Sequence, residues 1–209
     1  MKLALYLAAA PLALVAMPSV AAVIQTLPGG TAVAMPANSY QGVGPQTFGP
    51  IAWTSSSANS LFGYTGAYNF LNNGAWSGTP MTGLNAASGT MTYTFAQPVS
   101  AVLAEMNWSV AQNRPDVTAS VFDVNGVLLE TKTFVANGVA LASPGYWGFQ
   151  QNTPIGSLQL SNSFIGARNF SIETVTGVPE PATWAMMVAG FGAVGAGRRR
   201  RRAMRVRFA

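Results

Sequence analysis

Hydrophobic and polar side chains alternate most regularly in the second half of the chain, and a period of two marks a half-buried strand. In TMTYTF, Met91, Tyr93 and Phe95 fall on one side and Thr90, Thr92 and Thr94 on the other. Gln97-Pro98 follows and is expected to end this strand, because proline has no N–H to give to a ladder. A second strand is expected over residues 101–110, a third in VTASVFDV and a fourth in VLLETKTF. Asn125-Gly126, between the last two, reads as a hairpin turn with positive φ at both central residues. Asn137-Gly138 marks a further turn, and YWGFQ, GSLQL and FSIETV read as three more short strands. Short strands with turn signals every ~8–12 residues point to an antiparallel sandwich. The expected fold class is all-β, an antiparallel, jelly-roll-like β-sandwich of about eight to ten strands.

Residues 23–88 follow no such period. LPGG, ANSYQGVGPQTFGP, SSSANSLFGYTGAYNF and NNGAWSGTP place Gly, Asn, Ser or Pro every few residues, which leaves room only for short strands. No long window repeats apolar residues at i, i+3 and i+4, so no helix is expected there. No fixed period recurs along the chain, which disfavours a solenoid or propeller.

The two ends have different patterns. Lys2 precedes an apolar run over residues 3–17, interrupted only by Pro11, and the small residues Ser19, Ala21 and Ala22 follow. This is the layout of a secretory signal peptide over residues 1–22, with cleavage after Ala21 or Ala22; an uncleaved anchor is the alternative. At the other end, Pro179 and Pro181 stop the last strand, and the apolar residues 182–197 form a short helix. Such a helix spans about 24 Å, short of the roughly 30 Å hydrocarbon core of a bilayer. Trp184 suits one membrane interface, and Arg198, Arg199, Arg200, Arg201 and Arg202 form a basic block that stays cytoplasmic by the positive-inside rule. The organisation expected is a signal helix over 1–22, a β-sandwich domain over 23–177, and a C-terminal segment over 178–209 holding a short transmembrane helix. A tail of this kind can be temporary, like the hydrophobic end of a GPI-type signal, or it can anchor the protein permanently.

Composition sharpens this division. With 49% hydrophobic and 8% charged residues, the chain has the material for a core and lacks the charge of a disordered segment. The sequence pI of about 10.0 belongs to the ends, since Lys2 and seven arginines at 198–207 supply most of the basic residues. Residues 23–178 hold three basic and five acidic residues, a net charge of −2, which leaves no electrostatic footprint for nucleic acid. The chain has no cysteine, so no disulfide supports the core, and no histidine, which removes the usual triads and His-based zinc sites.

The C-terminal stretch VPEPATWAMMVAGFGAVGAGRRRRR resembles the PEP-CTERM sorting domain of Gram-negative bacteria, in its PEPxxWA variant. Pro179, Glu180, Pro181, Trp184 and Ala185 match the motif, and the apolar run and basic block follow in order; AMRVRFA extends beyond them. The resemblance implies export across the inner membrane and recognition by an exosortase-like enzyme that cleaves at or near Pro-Glu-Pro. It also implies placement at the cell surface or outside the cell, with a link to exopolysaccharide, biofilm or floc. The body, in TYTFAQPVSAVLAEMNW, ASVFDVNGVLLET and SLQLSNSFIGARNFSIETV, resembles the β-sandwich domains found upstream of this signal. Where many of those carry an acidic pair before the last strand, this chain has Arg168 and Asn169, so a calcium site is not carried over.

Candidate chemistry in the body is sparse, and no catalytic residue is expected. A glycosidase needs two facing carboxylates, and Glu105, Asp116, Asp123, Glu130 and Glu173 form no recognisable pair. Asp123 and Asn125, with Asp116, are candidate oxygen ligands for Ca²⁺, but DVNG lacks the rest of an EF-hand loop and is accounted for as a turn. No other cofactor is expected. Trp53, Trp76, Trp108 and Trp147 are candidates for a sugar-stacking platform on extracellular polysaccharide, although core packing is the favoured reading for any single one, because aromatics dominate sandwich cores. The resulting expectation is a non-enzymatic, exported surface or matrix protein. The alternatives are a carbohydrate-binding module and a permanently anchored surface protein.

Overall fold

The computed structural model describes residues 21–138 and 144–175, together with Met187, Gly190 and Phe191. Residues 1–20 of the expected signal helix lie outside the described residues. So does the expected C-terminal helix, apart from those three positions, and among the described residues no helix is long and apolar enough to cross a membrane. The chain divides into two units, Met1–Thr174 and Val175–Ala209, and all the strands belong to the first.

The described body is all-β and antiparallel, as expected. Its first half supplies β1 (Ala22–Ile24), β2 (Thr31–Val33), β3 (Tyr40–Gln41), β4 (Gln46–Phe48), β5 (Ile51–Ser55) and β6 (Leu61–Tyr64). There follow β7 (Tyr68–Asn69), β8 (Ala75–Trp76) and β9 (Met81–Gly83). The second half supplies β10 (Thr90–Asn107), β11 (Val117–Asp123), β12 (Leu128–Phe134), β13 (Gly145–Ser161) and β14 (Gly166–Thr174). The fourteen described strands exceed the expected eight to ten because the Gly- and Asn-punctuated first half makes nine short ones. In the second half the error runs the other way, since strands expected to be separate are continuous.

Pro98 does not end β10. The ladder between β10 and β13 has no partners between Thr94 and Val99, and the chain turns a corner there. A proline costs nothing where the ladder is already interrupted. Pro154 occupies the matching place in β13, next to Ile155, which pairs with Val99, so YWGFQ and GSLQL are the two arms of one bent strand. The first arm of β10 pairs with β5 and with the second arm of β13, which in turn pairs with β11 and then β12. Past the corner, β10 pairs with β14 and with the first arm of β13, while β1, β2 and β9 extend that half. The sandwich is thus one twelve-stranded sheet folded over at a corner rather than two separate sheets.

The inward faces meet in an aromatic core. Phe170 of β14 contacts Tyr93 of β10 (ring centroids 4.8 Å apart) and Phe48 of β4 (5.2 Å), while Trp53 of β5 contacts Phe62 of β6 (5.5 Å). Each such side chain, fully buried, contributes on the order of 1.5–3 kcal/mol. Tyr93 brings a hydroxyl into this core, where it bonds to Thr82 Oγ1 (2.6 Å), whose own hydrogen goes to the Ala167 carbonyl (3.1 Å). Burial pushes the Tyr93 hydroxyl far above its ordinary pKa of 10.0, so it stays neutral. The β7–β8 hairpin forms a second cluster of Tyr68, Phe70, Trp76 and Met81, and a Cβ on Gly166 of β14 would lie 2.8 Å from the Phe70 ring.

Candidate functional site

The structure sorts the sequence candidates by burial and by what their polar atoms already bind. Trp53 and Trp108 are completely buried and Trp76 is 8% exposed, so their faces are covered by other side chains and cannot stack on a sugar. Trp53 packs on Phe62, Trp76 on Phe70, and Trp108 on Phe134. Trp147 is half-buried, with its ring edge-on to Phe134 (5.1 Å) and the Lys132 ammonium 5.6 Å from its centroid. The four-tryptophan platform is corrected to three core residues and one partly accessible ring. The physical reason is that large aromatic faces are worth more in the core of a sandwich than in water.

Asp123 and Asn125 build a turn. Asp123 Oδ1 accepts the backbone N–H groups of Asn125 and Val127, both at 2.8 Å. The Val127 N–H foremost, together with Asn125, holds the Asp123 carboxyl below its ordinary 3.8. Only Gly126 takes a positive φ (80°) and Asn125 does not, which corrects the expected turn. The Gly126 N–H reaches the Asp123 carbonyl (3.1 Å), and the Asp123 N–H reaches the Val127 carbonyl (2.9 Å). This is a type I turn closed by a glycine bulge.

The remaining acids are engaged separately. Asp116 Oδ1 accepts the Ala136 N–H (3.1 Å), and Glu130 accepts the Gln151 side-chain amide. Glu105 is gripped by Arg168 through Nε and a terminal nitrogen (2.8 Å each) and by Asn169 Nδ2 (2.7 Å). A bulge explains that grip. Glu105 pairs with Arg168, but the register slips by one residue before Leu103, and Asn169 sits at φ 52°. Both side chains can therefore serve one carboxylate, and Arg168 stacks on Trp76 with its Cζ 4.1 Å from the ring. Among the described residues, no three acidic side chains gather in a way that could hold a metal ion.

A cleft of about 330 Å³ lies elsewhere, lined by Tyr68, Asn69, Leu71, Asn85, Arg114 and Phe164. Its walls are unusual in backbone. Leu71 (φ 57°), Asn85 (47°) and Phe164 (55°) are left-handed, and Phe164 ends three consecutive left-handed residues, after Asn162 (72°) and Ser163 (49°). Non-glycine residues pay about 1–2 kcal/mol each for that conformation. It persists here because Asn162, Ser163 and Phe164 donate to the carbonyls of Gly89, Ala87 and Ala86 at 2.9–3.0 Å, while Ser109 donates to Ser163 (2.9 Å). Ser163 Oγ also donates to the Pro115 carbonyl, which ties the segment before β11 to the same loop. The Arg114 guanidinium sits over the Phe164 ring with Cζ 4.5 Å from its centroid. The Tyr68 hydroxyl donates to Asn85 Oδ1 (3.4 Å), and burial pushes it up to about 12, with the Asn85 backbone pulling the other way. Strain held at a cleft wall is a pointer to function. Sequence reasoning missed Arg114, Asn85 and Phe164 because they lie in loops without hydrophobic period; the one local signal is the turn-rich SNSF between two strands.

The sorting residues Pro179, Glu180, Pro181, Trp184 and Ala185 and the basic block Arg198, Arg199, Arg200, Arg201 and Arg202 lie outside the described residues. Here the comparison with known families decides: residues 177–202 match the model of the PEP-CTERM protein-sorting motif. The chain carries a PEP-CTERM sorting motif. The motif marks an exported surface protein of Gram-negative bacteria, handled by an exosortase-like enzyme. No curated protein matches the chain. Among solved structures, one described as "Peptidoglycan O-acetylesterase in action, 5 min" aligns with 70% of this chain and 35% of its own, at 19% identity and a TM-score of 0.35. The chain thus spans about a third of that protein's length, and at this TM-score the likeness carries no argument about fold or activity.

Proposed function

We propose that the protein is a non-enzymatic component of the cell surface or extracellular matrix, released from a membrane-held precursor by cleavage near Pro-Glu-Pro and associated with exopolysaccharide. The PEP-CTERM match over residues 177–202 carries this reading. The net charge of −2 on residues 23–178, against a basic tail, fits a body delivered by a signal and then separated from it. The acids support the non-enzymatic part: Glu105, Asp116, Asp123 and Glu130 each serve a separate structural partner. The cleft at Arg114 and Phe164 favours one further element, direct contact of the body with saccharide.

Mass spectrometry of the protein isolated from its native host tests the sorting step. The mature C-terminus is expected within or next to residues 179–181, with residues 198–209 absent. An intact tail recovered in the membrane fraction would instead establish a permanent anchor.

A further inference from the structure

Among the described residues, Arg114 has no counter-charge within ion-pair distance. The described residues hold one ion pair, Arg168 with Glu105, and Arg114 is engaged only with the face of the Phe164 ring. A guanidinium over an aromatic face keeps its N–H groups around its edge, where they are free to meet a planar acceptor. We propose that the cleft between Arg114, Phe164 and Asn85 binds a carboxylated sugar ring, a uronate unit of an acidic polysaccharide, with Arg114 taking the carboxylate. This deepens, and rests on, the reading of the body as polysaccharide-associated.

The chemistry of the other walls selects a sugar over a simple anion. Asn69 Oδ1 already accepts the Leu71 N–H (2.6 Å) and Asn85 Oδ1 the Tyr68 hydroxyl (3.4 Å), so both amide NH₂ groups remain as donors for ring hydroxyls. Leu71, 50% exposed, and Phe164 supply apolar surface for the C–H face of a pyranose. The volume of about 330 Å³ lies at the small end of the ~300–1,000 Å³ typical of ligand sites, enough for a short saccharide and wasteful for an inorganic ion. The left-handed run at Asn162, Ser163 and Phe164, hydrogen-bonded to the loop before β10, sets the Phe164 ring in place before ligand arrives. The nearby acid Asp116 is occupied by the Ala136 N–H.

The test is calorimetric titration of the full chain in detergent, at physiological salt, with trigalacturonate, its methyl-esterified counterpart, and acetate. The arginine-rich tail is present in every sample, so the readout is the difference between wild type and Arg114→Gln. Arg114→Gln is expected to weaken trigalacturonate about tenfold to a hundredfold, the scale of a lost charge-assisted pair, with Arg114→Lys in between. Phe164→Leu is expected to weaken it several-fold while leaving Arg114 in place. Equal affinity of wild type and Arg114→Gln would overturn the assignment, as would equal binding of the methyl ester or of acetate by wild type. If Arg114→Gln loses the near-ultraviolet signature of the folded body, Arg114→Lys and Phe164→Leu decide, because both are compared with wild type against the same tail. Binding of trigalacturonate that survives both variants would remove this cleft but keep polysaccharide association. Failure of wild type to bind this or any host matrix glycan would remove the wider reading as well.

Discussion

At Asp123, one carboxylate ties down two backbone amides of a turn, and its protonation state is therefore linked to the fold. Hydrogen bonds from Val127 and Asn125 lower its folded-state pKa below the ordinary 3.8. A group so depressed adds stability that is complete above the unfolded value and is lost as pH falls through the folded one. The protection factors of the Asn125 and Val127 amides, relative to their intrinsic exchange at each pH, are thus expected to be unchanged from neutral pH to about pH 5, and to fall only below the ordinary carboxylate range. Asp123→Asn should remove that acid dependence, because its amide oxygen accepts without titrating. Protection factors that fall between pH 7 and 5 would show that another group governs the turn. At the same scale the sequence revealed the turn but not its type. Asn-Gly is compatible with several geometries, and the three-residue loop closed by the hydrogen bonds of Asp123 with Gly126 and Val127 leaves positive φ to Gly126 alone.

At the scale of elements, the bent β10–β13 pair carries both halves of the sandwich, and its two special residue types tolerate change differently. Gly148 faces Leu103 across the ladder, with Ile24 of β1 on its other side. A Cβ there would collide with the Val102 carbonyl and lie 2.8 Å from Leu103 Cα, both backbone atoms that cannot move without parting the strands. Gly148→Ala is expected to destabilise by several kcal/mol, the scale of overpacking compounded by lost ladder bonds. Pro98 sits where the ladder is already open, so Pro98→Ala is expected to cost no more than about 1 kcal/mol, mostly through a freer unfolded chain. Urea denaturation of the two variants checks the contrast, and a Pro98→Ala as damaging as Gly148→Ala would mean that the corner depends on the proline ring. The alternating pattern of TMTYTF was legible because its partners lie on one side. Residues 101–104 are buried on both faces, so their pattern shows no period.

At the scale of the whole molecule, two sets of residues with opposite charge share one chain. The full sequence carries +5, while residues 23–178 carry −2, so the proposed removal of both ends would reverse the sign. Isoelectric focusing of host extracts is expected to show a basic precursor and an acidic mature form, and a mature species that still focuses above neutral pH would contradict removal of the tail. The −2 body also bears on the proposed binding of acidic polysaccharide: long-range attraction is absent, so any affinity would come from short-range contacts such as those at Arg114. Its cleft draws on residues from four separate stretches of chain, around Tyr68, Asn85, Arg114 and Phe164.

The sequence by itself determined the β class, the positions of most turns, the separation of charge between body and tail, and the sorting signal. These are local properties: a period of two, the φ preferences of Gly and Asn, and a linear motif read by another protein all lie within a few neighbouring residues. Tertiary structure alone decided that Pro98 and Pro154 flank the paired Val99 and Ile155 at a corner, that Trp53, Trp76 and Trp108 are core, and that Arg168 and Asn169 converge on Glu105. It also decided that Arg114 stands over Phe164. Each of these depends on which distant strands pair and in what register, and that is set by the packing of the whole core rather than by any segment of it.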